Sequence, residues 1–417
     1  MKIILAHPTG NANFRAAALG MSRNGLLKVL YTTVAVFPAG FLGWLSRKKP
    51  FSDFKRRTYP AELQPSVMLF PWYELGRMLA QKMSFPFLVK QETGLFSVDA
   101  VYHTLDKKVA AVLEHAGSEK LGVYAYEDGA AKTFSHAKRR GMMCFYDLPI
   151  GYWRSSRALL KLESERWPDW AVTMTGLSDS DEKLKRKEEE LRLADHIFVA
   201  STFTAKTLSL YPGKLAPVHV IPYGFPDVIK ERHYRHLDKD SVLKLLFVGE
   251  LSQRKGLADL FTVVGRLGSK VTLTVVGRKT TARCEALEKQ LALHRWVPGI
   301  PHEEVLRLMA EHDVLVFPSL FEGFGLVITE AMSQGTPVIT TERTAGPDLI
   351  THGHDGWIIE AGSIAALQNS IEELLLHPDL VGKAGRQALA TAGRRSWDAY
   401  GKELSDSIKL CWNERPG

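Results

Sequence analysis

The sequence predicts an α/β chain with two doubly wound, Rossmann-like parallel sheets facing a central cleft. Three observations carry this. Strand-like and helix-like segments alternate along residues 1–222. The alternation pauses at Tyr223-Gly-Phe-Pro226 and a polar stretch, Asp227 to Asp240, and then resumes at Leu243. Late in the second series an apolar run is broken by two glycines and followed at once by a helical pattern. Alternating strands and helices build parallel sheets, and ligands of such sheets bind beyond the carboxyl ends of the strands. A length of 417 residues is enough for two to three domains. The expected organisation is a first lobe over 1–222, a linker over 223–240, a second lobe over 241–395 and a terminal helix over 396–417 that crosses back.

In the first series Lys2 to Ala6 is a short apolar strand, and Asn13 to Gly20 is a helix. Leu27 to Phe37 contains a second strand, Leu121 to Tyr126 a third, and Ala130 to Arg140 a helix. Met142 to Tyr146, His196 to Ala200 and Val218 to Pro222 complete the strands. Glu182 to Ala194 is a strongly charged helix whose acids and bases stand at i,i+4 spacing, which predicts a solvated face. In the second series the strands are Leu243 to Val248, Lys270 to Val276, a short one at Trp296, Val314 to Phe317, Pro337 to Thr340 and Gly356 to Glu360. Helices are expected at Gly256 to Arg266, Cys284 to Leu293, Glu303 to Glu311, Ile364 to Leu376 and Trp397 to Trp412.

Three widely spaced cysteines, Cys144, Cys284 and Cys411, fit neither a disulfide framework nor a metal-binding spacing, so a reducing cytoplasm is expected. The opening Met1 to His7 reads as a strand rather than a signal peptide. The mostly apolar stretch Leu30 to Leu45 is interrupted by Pro38, Gly40 and Gly43, and no membrane span is expected. The net charge of +8 is concentrated in residues 1–60, which carry ten basic side chains against one acid, Asp53. Within it, residues 44–59 interleave cations with Trp44, Phe51, Phe54 and Tyr59. That mixture suits an anionic membrane surface, and peripheral attachment to the inner face of the plasma membrane is an expectation. No nucleic-acid partner is expected.

The most informative stretch is Phe317-Pro-Ser-Leu-Phe-Glu-Gly-Phe-Gly-Leu-Val-Ile-Thr-Glu330. A strand, a glycine turn and a helix N-terminus together aim N–H groups and a positive partial charge beyond the strand, where a phosphate binds. Glu322 and Glu330 bracket the turn, which suggests a ligand bearing hydroxyls as well as phosphate, such as a nucleotide sugar. Val248-Gly-Glu-Leu-Ser-Gln-Arg-Lys-Gly256 places Arg254 and Lys255 after another strand end, where they suit a diphosphate leaving group. Glu330 has apolar neighbours and suits ribose hydroxyls.

Taken together, Gly249…Arg254-Lys255-Gly256, Glu322-x7-Glu330, Gly335-Thr-Pro-Val338 and Gly353-His-Asp-Gly-Trp357 resemble glycosyltransferase family 4. The resemblance is strong from about residue 195 to 400 and weak before it. It implies the two-lobed GT-B fold and a retaining, metal-independent hexosyltransferase that needs no cofactor. The donor would be a UDP- or GDP-hexose and the acceptor a saccharide or lipid-linked hydroxyl, in polysaccharide or glycoconjugate assembly. By the same resemblance Lys255 and Arg254 hold the donor diphosphate, Glu322 faces the donor sugar or phosphate, and Gly249, Gly323, Phe324, Gly325 and Leu326 line the donor. Glu330 binds ribose, Trp296 and Val297 lie beside the base, and Arg278 is a further donor-side candidate.

Two departures stand out. Glu250 occupies a position where many members carry Arg, so Arg254 has to compensate. Asp147, in Phe145-Tyr-Asp-Leu-Pro149, occupies the region where many members carry a His facing the reacting sugar, and is taken as an acceptor- or sugar-positioning group. In the loop His7-Pro-Thr-Gly-Asn-Ala-Asn13, Gly10 permits close backbone approach to the donor. Asn11, Asn13 and Glu127 are acceptor-side candidates, with helix capping as the simpler role for Asn13 and for Asp128. The alternatives are a GT-B epimerase or phosphorylase, or a non-catalytic glycan- or partner-binding protein. A dinucleotide oxidoreductase is disfavoured because no Gly-x-Gly-x-x-Gly follows the first strand.

Overall fold

The computed structural model describes residues 1–40, 43–44, 46, 54–115, 120–174, 179–281 and 283–414. Residues 45 and 47–53 of the basic-aromatic segment lie outside the described residues. Strands β1 (Lys2–Ala6), β2 (Leu27–Thr32), β3 (Val67–Leu69), β4 (Leu121–Tyr126), β5 (Met143–Leu148), β6 (His196–Val199) and β7 (Val218–Val220) form one sheet, in the order β3-β2-β1-β4-β5-β6-β7. Strands β8 (Leu243–Val248), β9 (Val271–Val276), β10 (Arg295–Val297), β11 (Val314–Phe317), β12 (Val338–Thr341) and β13 (Gly356–Ile359) form the second, in the order β10-β9-β8-β11-β12-β13. All the ladders within these sheets are parallel.

The helices are α1 (Ala12–Arg23), α2 (Trp72–Lys82), α3 (Val98–Leu113), α4 (Ala131–Arg139), α5 (Trp153–Arg166), α6 (Asp181–Leu193), α7 (Thr202–Thr207), α8 (Leu257–Leu267), α9 (Glu285–Leu293), α10 (His302–Glu311), α11 (Leu326–Ser333), α12 (Gly346–Leu349), α13 (Ile364–Leu376), α14 (Asp379–Ala392) and α15 (Trp397–Asn413). Central strands β4, β5, β11 and β12 are buried along their whole length, as expected where helices cover both faces of a parallel sheet. Strand order reverses between β1 and β4 in the first sheet and between β8 and β11 in the second. These switch points place the loops after β1, β4, β8 and β11 around one cleft.

Several contacts join the lobes. Gly323 approaches the loop after β5 so closely that an added Cβ would stand 1.9 Å from Pro149 O. The Gly323 carbonyl accepts from Ser201 Oγ at 2.6 Å and Thr204 Oγ1 at 2.9 Å. Asp348 accepts from Thr202 N at 2.9 Å. The segment Pro168–Thr173 rests on the second lobe: Thr173 O accepts from Ser252 Oγ at 2.7 Å, and Trp170 stacks on Phe261. Helix α15 returns to lie against α1, where Gly20 and Gly401 face each other.

The charge of α6 is only partly solvated: Glu182, Lys185 and Arg192 are exposed, but another face turns inward. Lys187 and Glu190 are buried, Lys187 pairs with Glu127 at 3.0 Å, and Arg186 pairs with Asp106. The i,i+4 spacing holds, but acids on α3 and on the loop after β4 draw this face inward.

Candidate active site

The loop after β8 and the loop after β11 meet at three side chains. Arg254 Nη1 donates to Glu322 Oε1 at 2.5 Å, and Lys255 Nζ donates to the same oxygen. Arg254 also donates to Phe321 O at 2.8 Å, which fixes its guanidinium beside the turn. Burial disfavours a charge on Glu322, but Lys255 and Arg254 outweigh it and hold the carboxyl below its usual range. Burial and the neighbouring Arg254 pull the Lys255 ammonium down, against the pull of Glu322. Lys255 Nζ also stands 5.0 Å from the centroid of the Phe317 ring. Glu250, the departure read from the sequence, is exposed and reaches Arg254 only at 3.8 Å.

The turn Gly323-Phe-Gly325 follows directly, with Gly325 as the N-cap of α11. Helix geometry leaves the Leu326 and Val327 N–H groups without intrahelical partners, while Ile328 N donates to Gly325 O at 2.9 Å. The Phe324 ring is buried against Tyr223 at 4.8 Å, so this residue offers the cleft its backbone only. Glu330, one turn into α11, accepts from or shares a proton with His302 Nε2 at 2.9 Å, and this bond raises the affinity of His302 for its proton. Gly249 sits at the end of β8, donating to Val276 O at 2.9 Å. Trp296 Nε1 donates to Gly277 O at 3.0 Å, and Lys279 Nζ covers the ring at 4.4 Å from its centroid. Val297 lies beside it at the end of β10, half-buried.

Arg278 points into a cavity of about 840 Å³ shared with the first lobe. Its lining includes Gly10 and Asn11 from the loop after β1, and the cations Arg56, Arg57, Arg77 and Lys82, of which Arg57 and Arg77 pair with the buried Glu74. The loop itself is organised by His7, for which the sequence alone suggests no role. His7 Nδ1 accepts from Thr9 N and Gly10 N, both at 3.1 Å, and burial pushes the imidazole down to about 3, so it is neutral.

A Cβ at Gly10 would stand 1.8 Å from the Tyr59 hydroxyl, so the position has no room for a side chain. Two readings of helix capping are corrected here. Asn13 does not cap α1: the cap position is Asn11, and Asn13 Nδ2 donates to Tyr223 OH at 3.0 Å. Asp128 does not cap α4 either. The Glu190 carboxylate caps it, accepting from Asp128 N at 2.8 Å, Ala130 N at 2.9 Å and Ala131 N at 3.1 Å.

Asp147 is enclosed rather than open to the cleft. It accepts from Tyr124 OH at 2.6 Å and lies near Tyr126, Tyr223 and Tyr400. Burial, opposed by the bond from Tyr124, pushes its carboxyl up to about 7. Tyr223 connects this nest to the Phe324 ring and so to the glycine turn. Glu127 is buried beside Lys187, and burial raises it to about 7 in spite of that ammonium.

Two parallel-sheet lobes around a cleft, with two cations and a carboxylate under a glycine turn, define the GT-B class. Residues 229–394 match the family described as glycosyl transferases group 1. Among curated relatives, the chain is 30% identical over 192 residues to the capsular polysaccharide biosynthesis glycosyltransferase CapM of Staphylococcus aureus, covering 45% of this chain and 47% of the relative. It is 26% identical over 206 residues to glycogen synthase of Mycobacterium tuberculosis, covering 48% and 50% respectively. The matches to these relatives thus span about half their length. Among solved structures, sucrose-phosphate synthase of Thermosynechococcus elongatus superposes with a TM-score of 0.65 at 17% identity over 100% of both chains. Anabaena HepE in complex with UDP superposes with a TM-score of 0.63 at 16% identity, covering 98% of this chain and 100% of that one. These structural likenesses concern the fold.

Proposed function

We propose that the chain is a retaining glycosyltransferase that moves a hexose from a nucleoside diphosphate sugar to a hydroxyl of a saccharide or lipid-linked acceptor. The observation that carries this is the convergence of Arg254, Lys255 and Glu322 below the glycine turn. Positive charge there meets the charge that grows on a departing diphosphate, and in a buried site such preorganised charge is worth more than in water. The N-terminus of α11 adds to it. Glu322 pairs with both cations. An incoming diphosphate would compete for them and free the carboxylate to face the sugar. Glu330 would take the ribose hydroxyls, and Trp296, Val297 and Arg278 would flank the base.

The sugar develops oxocarbenium character as the leaving group departs. Same-face attack by the acceptor hydroxyl retains configuration without an enzyme nucleophile. Asp147 acts as a positioning residue, through the tyrosines that connect it to Phe324. UDP in the HepE complex favours a uridine donor. The cavity at Asn11 carries Arg56, Lys82 and Arg278 in addition to the two arginines that Glu74 pairs, which fits an acceptor carrying negative charge. Among the described residues no helix is long and apolar enough to cross a membrane. We place the reaction at the cytoplasmic face of the plasma membrane, with residues 44–59 as the contact. Sedimentation with anionic but not neutral vesicles is the expected result, and lipid-independent behaviour removes this part.

The test is nucleotide release from a panel of UDP-, GDP- and ADP-hexoses, scored together with nucleotide binding. Release from one donor, lost in Lys255→Ala and Glu322→Ala, is expected. Nucleotide release without a glycoside product favours the epimerase, a requirement for free phosphate favours the phosphorylase, and absence of both release and binding favours a non-catalytic protein.

A further inference from the structure

Among the described residues, one group of side chains away from the cleft has the composition and spacing of a transition-metal site: His196, His219 and Cys411. They come from three elements. His196 opens β6, His219 is the middle residue of the edge strand β7, and Cys411 lies in the last turns of α15. His196 Nδ1 stands 3.1 Å from His219 Nε2, and Cys411 Sγ stands 3.4 Å from that same nitrogen. All three ligand atoms lie within 4.8 Å of one another. A tetrahedral zinc ion, with Zn–N about 2.0–2.1 Å and Zn–S about 2.3 Å, has ligand-to-ligand edges of about 3.3 Å between nitrogens and about 3.6 Å between nitrogen and sulfur. Two edges of the cluster are therefore already near their liganded length.

The surroundings complete a site. Cys411 is buried, and the imidazoles are half-buried against Phe145 and Phe198, which stack on His196 and His219 respectively. Glu414 follows Cys411 by three residues, close to one helical turn, and its carboxylate acts electrostatically on His196, His219 and Cys411 alike. Asp195 is not available in the same way, because Lys138 and the Cys144 amide hold its carboxylate. A cavity of about 540 Å³, lined among others by His196, Cys411 and Glu414, gives an entry path.

We propose that His196, His219 and Cys411 bind a zinc ion, with Glu414 or a water as the fourth ligand, pinning α15 to the edge of the first sheet. One thiolate and two imidazoles are a borderline-soft donor set that suits zinc, and a thiolate with a carboxylate neutralises its charge. On binding, the Cys411 S–H bond breaks, an S–Zn bond forms and one proton goes to solvent. The site fastens a helix that has crossed back from the second lobe, so its effect is on stability and not on glycosyl transfer.

The full chain, stripped with a chelator, is dialysed against Zn2+ alone and its metal content measured, with Co2+ as a spectroscopic probe. The expected result is one zinc per chain, a rise of several degrees in melting temperature, and a tetrahedral cobalt spectrum with a thiolate charge-transfer band. Cys411→Ser should lose that band, and His219→Gln should lose the stabilisation. Both variants should melt where metal-free wild type melts, which separates loss of metal from loss of fold. Substoichiometric zinc, an octahedral cobalt spectrum, binding unaffected by either variant, or uptake of copper but not zinc overturns the proposal.

Discussion

Arg254 Nη1 lies 2.5 Å from Glu322 Oε1, the oxygen that Lys255 also contacts. One carboxylate oxygen thus holds two cations that are adjacent in sequence, across a gap of 67 residues from Lys255. If these cations serve the departing diphosphate, removing either one removes an interaction that strengthens as charge develops. Lys255→Ala is expected to lower kcat by about 100- to 1,000-fold, the range for one electrostatic stabiliser of a transition state. Steady-state rates with the identified donor check this, and an unchanged kcat contradicts it.

If Glu330 takes the ribose hydroxyls, it bears on binding more than on the chemical step. Glu330→Ala is expected to weaken donor binding about tenfold, or about 1.4 kcal/mol, with a smaller effect on kcat. It also removes the hydrogen bond that raises His302, so the His302 titration followed by NMR should move down. A variant with wild-type KM and lowered kcat speaks against the ribose role.

The buried Asp147 carboxyl predicts a pH effect on stability. Its folded value is raised from 3.8 to about 7, chiefly by burial. Between these values the folded state keeps a proton that the unfolded chain has released, so stability falls as pH rises through this window. Asp147→Asn keeps an acceptor for Tyr124 and removes the titration. Denaturant unfolding at pH 5 and pH 8 should show a decline in wild type that shrinks in this variant. Equal declines remove the assignment.

Glu190 accepts from three backbone amides at the start of α4. Glu190→Ala leaves these donors buried without their acceptor, at a cost of at least about 2 kcal/mol. Chemical denaturation should show this as a lower midpoint. A loss below about 0.5 kcal/mol would mean that water replaces the carboxylate.

The strands other than the exposed edge strand β3, and the glycine turn, are legible in the sequence because buried parallel strands read as short apolar runs and the turn needs its glycines. Helix α13 falls at Ile364–Leu376, within the bounds its periodicity predicts. Helices α2, α3 and α5 are not read because buried polar residues such as Glu74, Asp106 and Glu163 interrupt their apolar faces, and α14 because its buried stripe is mostly alanine and glycine. The solvated reading of α6 holds at Glu182, Lys185 and Arg192 and fails on the opposite face for a different reason. Spacing shows which of its charges share a face, but Asp99, Asp106 and Glu127, which turn that face inward, are remote in sequence. Asn13 illustrates the same limit: its partner Tyr223 lies 210 residues away. Arg254, Lys255 and Glu322 were legible as a group because their strand-end positions, not their contacts, suggest one ligand.

The most direct test of the central claim is calorimetric titration of nucleoside diphosphate into wild type, Arg254→Ala and Lys255→Ala, with the bare nucleoside as reference. The account predicts that both variants lose most of the affinity added by the diphosphate and keep whatever affinity the nucleoside has. Diphosphate binding at wild-type strength in both variants would contradict it.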